Sequence, residues 1–98
     1  MDIQEVAAVK RFEFKVPGGK LLRAKVETAY GRISFIQLTG DFFMQPEADL
    51  EELETRLMGS PPDSVDSVVK SFFAENRTVI AGACPADFIY VVSQALKA

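Results

Sequence analysis

From Arg11 to Val16 the side chains alternate, with Phe12, Phe14 and Val16 on one side and Arg11, Glu13 and Lys15 on the other. Successive residues of a strand point to opposite faces, so this stretch predicts a half-buried β-strand. Pro17-Gly18-Gly19 follows, a fixed φ and then two residues tolerant of positive φ, which suits a tight reversal. Leu22, Ala24 and Val26 then alternate with Arg23, Lys25 and Glu27, and the two segments read as a hairpin. A second turn at Ala29-Tyr30-Gly31 leads into Ile33, Phe35, Ile36 and Leu38, a third strand that ends at Thr39-Gly40-Asp41. Its apolar phase changes between Phe35 and Ile36, which fits either a bulge or a strand covered on both faces.

After Pro46 the period lengthens. Leu50, Leu53 and Leu57 lie at helical spacing among Glu51, Glu52, Glu54 and Arg56, with Gly59 as a stop, predicting a helix over about 47–58. Ser60-Pro61-Pro62-Asp63 offers a hydroxyl cap and prolines suited to a helix start, ahead of the stripe Val65, Val68, Val69, Phe72 and Phe73. Thr78 to Ala83 reads as an apolar connector, and Pro85 opens a last helix whose Phe88, Ile89, Val92, Ala95 and Leu96 face inward. Strands followed by helices predict an α+β fold: a three-stranded antiparallel meander with three helices packed on one face. The other sheet face carries Arg23, Lys25, Glu27 and Gln37 beside Leu21 and Phe35, leaving room for a partner to dock.

Composition narrows the function. At 98 residues a second core would fall below a stable size, so residues 1–98 are expected to form a single domain. A net charge of -3 argues against a nucleic-acid partner, because the long-range field repels phosphates. No apolar run approaches the length that spans a bilayer, so no membrane partner is expected. With one cysteine and no histidine, neither an internal disulfide nor Ser-His-Asp or Cys-His catalysis is available on this chain, and a reducing, cytoplasmic setting fits best.

Three places carry candidate chemistry. Val16-Pro17-Gly18-Gly19-Lys20 combines a glycine turn with a cation, yet it lacks P-loop spacing and joins two strands, so a plain hairpin turn is the simpler reading. Gly40-Asp41-Phe42-Phe43 sets two adjacent rings at a strand exit, where one core cannot easily take both; the segment is either core with a capping Asp41 or a contact surface. Cys84, ahead of Pro85, reads more simply as a small buried hydrophobe than as a thiolate favoured by the helix dipole. Glu47, Asp49, Glu51, Glu52 and Glu54 read as a solvated helix face, and Met44 and Met58 as core fillers.

Lys15 to Leu22 with Pro17-Gly18-Gly19-Lys20, then Gly31-Arg32-Ile33, Leu38 to Phe43, Pro46-Glu47 and Leu53 to Leu57 with Gly59 together resemble the C-terminal accessory domain of lipoate protein ligases. The resemblance covers about residues 12–97, and the domain is expected over 10–97, with 1–9 as a strand extension or flexible end. In that family the domain is fused behind a catalytic domain or made as a separate small protein, and a chain of this length resembles the separate form. The resemblance implies a fold similar to iron-sulfur scaffolds and sulfur acceptors. It further implies a large catalytic subunit as partner, which binds ATP, Mg and lipoate, and lipoyl acceptor domains as indirect partners. The small subunit is then needed for lipoyl-AMP formation, with no catalytic residue, metal or cofactor of its own. Gly18, Gly19 and Lys20 fall in a family turn, and Gly40, Asp41, Phe42 and Phe43 in the characteristic loop, with contact roles. The alternative from the shared fold is a sulfur acceptor using Cys84.

Overall fold

Ala8–Val16 (β1), Lys20–Ala29 (β2) and Arg32–Gly40 (β3) form an antiparallel sheet of order β1-β2-β3 in a computed structural model, which describes residues 8–18 and 20–98. What was expected of residues 1–7 and of Gly19 lies outside the described residues. Phe12 stands opposite Ala24 and Phe14 opposite Leu22, while Ala24 and Val26 face Leu38 and Ile36 on the other side. This register puts every inward residue of the three strands on one apolar face, as the period-2 pattern demanded. The first strand starts three residues earlier than the alternation indicated, so Ala8 and Val9 of the expected extension belong to β1.

The change of phase in β3 is a bulge. Glu27 pairs with Phe35 but Thr28 with Ile33, leaving Ser34 as the extra residue, and its Oγ donates to the Glu27 carbonyl at 3.1 Å. Ile33 and Ile36 can therefore both be buried while Phe35 joins the outer face. The β2–β3 connection is a two-residue turn with Tyr30 at φ 54° and Gly31 at φ 76°. Positive φ at both central positions matches the twist of the flanking strands.

The helices are Ala48–Leu57 (α1), Val65–Glu75 (α2), entered through a 3-10 turn at Pro62–Ser64, and Pro85–Lys97 (α3). They form one layer on the apolar face, in which α3 covers β1 and β2, α1 covers β3, and α2 packs chiefly between its two sister helices. Leu53, Leu57, Val69, Phe72, Phe88, Val91, Val92 and Ala95 are fully buried there. Each such large apolar side chain contributes about 1.5–3 kcal/mol by leaving water. Lys10 reaches under the sheet to donate its Nζ to the Leu96 carbonyl at 2.9 Å, a cation placed at the negative end of α3. Ser60 does not cap the second helix: its Oγ donates to the Arg56 carbonyl and so serves the end of α1.

Two short strands were not foreseen. Phe43–Gln45 (β4) pairs antiparallel with Val79–Ala81 (β5), so the expected connector over 78–83 contains a strand. Three residues are too few for alternation to show against the surrounding apolar sequence. Three further expectations fail. Met58 is exposed rather than a core filler, because it lies just past the end of α1. Cys84 is exposed, since as the N-cap of α3 it sits outside the helical stripe. The acids of α1 are not uniformly solvated: Asp49 accepts a hydrogen bond from Thr78 Oγ1, and Glu54 one from the Leu38 N–H at 2.7 Å.

Candidate functional site

At its exit from the sheet, β3 crosses the beginning of β2 at close quarters. Gly40 has φ 151°, and a Cβ there would collide with the Leu21 carbonyl oxygen. The next N–H, of Asp41, donates to that same oxygen at 2.8 Å. Only glycine lets the two backbones approach this closely. The crossing brings Lys20, the first residue of β2, beside Gly40, Asp41, Phe42 and Phe43, and the five line one shallow hollow of about 460 Å³. Lys20, the last residue of the first segment singled out from sequence, therefore meets the second segment in space.

Phe42 turns inward and meets Phe88 edge-on, with ring centroids 5.2 Å apart. Phe43 begins β4 and, by strand alternation, points out where Met44 points in. Its side chain is 74% exposed, the most exposed large hydrophobic residue among those described. Phe42 and Phe43 also line a second hollow of about 340 Å³ with Met44, Gln45, Glu47 and Leu50. Gly18 stands at φ 106° in the exposed hairpin turn, two residues before Lys20.

β5 holds this shelf in place. Gly82, at φ 97°, lies so near the loop that a Cβ would be 2.8 Å from the Asp41 carbonyl oxygen. Val79, 63% exposed, and Ala81 share the outward face with Phe43 and Gln45. Sequence reading missed both. The one available signal was the β-favouring Thr78-Val79-Ile80 run, which read as connector because nothing in it names its partner strand.

Glu54 lies along the neighbouring β3 edge. Burial raises its carboxyl above the ordinary glutamate value, with a further push from Glu51, while the bond from Leu38 N–H works in the opposite direction. That bond, together with Gly59 N–H to the Ile33 carbonyl at 2.7 Å and Ile33 N–H to the Ser60 carbonyl at 2.9 Å, occupies this edge of the sheet. Among the described residues around the shelf, the available chemistry is the Lys20 ammonium, the Asp41 and Glu47 carboxylates and exposed apolar surface. Such a set suits recognition by contact.

No family model matches the chain. Lipoate-protein ligase A subunit 2 of Thermoplasma acidophilum is 37% identical over 70 residues, covering 70% of this chain and 72% of the relative. A solved structure from an archaeal lipoylation system, described as a bi-partite lipoate protein ligase and its E2 lipoyl domain from Thermoplasma acidophilum, contains a similar chain. It superposes with a TM-score of 0.72 at 29% identity, over 88% of this chain and 93% of that one.

Proposed function

The chain belongs to the family of lipoate-protein ligase A subunit 2, and from that premise we propose that it is the non-catalytic small subunit of a two-part, ATP-dependent lipoate protein ligase. In this reading the large subunit carries ATP, Mg and lipoate and performs the transfer to lipoyl acceptor domains. The small one enables formation of lipoyl-AMP.

The observation that carries this reading is the shelf at Gly40 to Phe43. Phe43, 74% exposed, and Val79, 63% exposed, lie together on one outward face, an apolar patch of the kind a partner covers. The contacts at Gly40 and Gly82 hold the ring's backbone still, so docking loses little conformational freedom. Lys20 borders the same contact and supplies a rim charge, with Phe43 the apolar anchor. A subunit of this kind acts by completing and closing a site built elsewhere, shielding the acyl adenylate from hydrolysis.

The test is direct. Pyrophosphate release is measured with ATP, lipoate and the large subunit, with and without this chain. The reading expects release to depend on the chain; equal release in its absence removes it.

A further inference from the structure

The two edges of the main sheet are treated differently. The β3 edge is occupied by Glu54 and by the Gly59-Ser60 backbone, whereas β1 has no strand on its outer side among the described residues. Leu38 turns its N–H away from β2, so the alternation of antiparallel bonding directs Ala24 toward β1, where it meets Phe12. The same alternation leaves Arg11 and Glu13 presenting their backbone groups at the open edge. Two exposed apolar side chains flank it, Val9 on the outer face and Tyr90, packed on Phe14 with centroids 4.7 Å apart, on the inner one. A long unpaired edge is a template for another strand.

The charges on this edge specify which strand. Arg11 stands opposite Lys25, a like charge, and makes no ion pair among the described residues, while Glu13 pairs with Arg23 at 3.0 Å from one side only. The nine residues of β1 are centred on Phe12. Two copies of β1 overlapping over their full length, antiparallel, therefore set Arg11 of each opposite Glu13 of the other. Sliding two residues of pairing one way puts Arg11 against Arg11; sliding the other way puts Glu13 against Glu13 and Arg11 against Lys15. The register with the greatest overlap is thus flanked on both sides by registers that place like charges together.

We propose that β1 pairs with β1 of a second copy of this chain, joining two three-stranded sheets into one of six strands about a two-fold axis at Phe12. The pairing is isologous and closes on itself, so it yields a dimer rather than a filament. It leaves the Gly40 to Phe43 shelf of each copy uncovered, and it stands independently of the ligase reading.

Sedimentation of the full chain over a range of concentrations tests this, alone and with the large subunit. The wild-type chain is expected to dimerise. Arg11→Glu places four acids in two facing pairs and should weaken the dimer about tenfold, although Glu at this position faces Lys25 within the chain and keeps the fold. Adding Glu13→Arg to Arg11→Glu reverses every pair and should restore the dimer. A chain that stays monomeric throughout, or a single and a double variant that behave alike, overturns the proposal. So does an Arg11→Glu variant whose only defect is weaker binding to the large subunit, since the edge then belongs to that partner.

Discussion

Phe42 and Phe43 are neighbours with identical side chains, and the structure puts them in opposite surroundings. Phe42 closes the interior against Phe88, and Phe43 stands outside on β4 with most of its ring in water. The division comes from strand alternation, enforced by the pairing of β4 with β5 and by two glycines that let separate backbones touch. One ring serves folding, and the next is left exposed for the subunit contact proposed for it. Substitutions on the two sides of this boundary should separate stability from function.

The largest stability effect is expected inside. Phe88→Ala removes a fully buried ring that meets both Phe42 and Phe73, and should cost about 3–5 kcal/mol in urea unfolding. Gly40→Ala comes next, because the new Cβ strains the backbone and drives it from the Leu21 carbonyl; a loss of about 1–3 kcal/mol is expected, with ligase support falling as the shelf shifts. The effect of Glu54 depends on pH. With its folded value raised by burial, the native state binds the proton more tightly than the unfolded chain does. Its contribution is therefore full at low pH and declines as pH rises through the window above the ordinary glutamate value. Glu54→Gln, which still accepts from Leu38 N–H, should flatten that decline in unfolding midpoints measured across the window. Phe43→Ala should change stability by no more than about 0.5 kcal/mol, as expected for an exposed site, while impairing ligase support. Cys84→Ser should leave both stability and pyrophosphate release unchanged; lost ligase support would point to the sulfur.

How legible these regions were in the sequence follows from the range of the forces that shape them. The meander could be read because burial on one face imposes alternation on Phe12, Phe14, Leu22, Ala24 and Val26, and the first helix because Leu50, Leu53 and Leu57 repeat each turn. The Gly40 to Phe43 segment stood out since two adjacent rings cannot share one direction. Which ring faces out could not be read, because it depends on β5, more than 30 residues away. Exposure of Cys84 and partial burial of Glu54 were likewise hidden, being set by where a helix begins and how close α1 lies to β3. The proximity of Lys20 to Gly40 needed the β2–β3 register, which turn chemistry and phase together could have supplied had the bulge at Ser34 been chosen over a doubly covered strand.

The central claim is that Phe43 works by holding the two subunits together and not by taking part in the reaction. Its most direct test is lipoyl-AMP formation by the large subunit titrated with wild-type chain or with Phe43→Ala. The account predicts the same plateau rate for both and a half-saturating concentration raised tenfold or more for the variant, about 1.4 kcal/mol or more of lost binding. An unchanged half-saturating concentration, with or without a lower plateau, would contradict it.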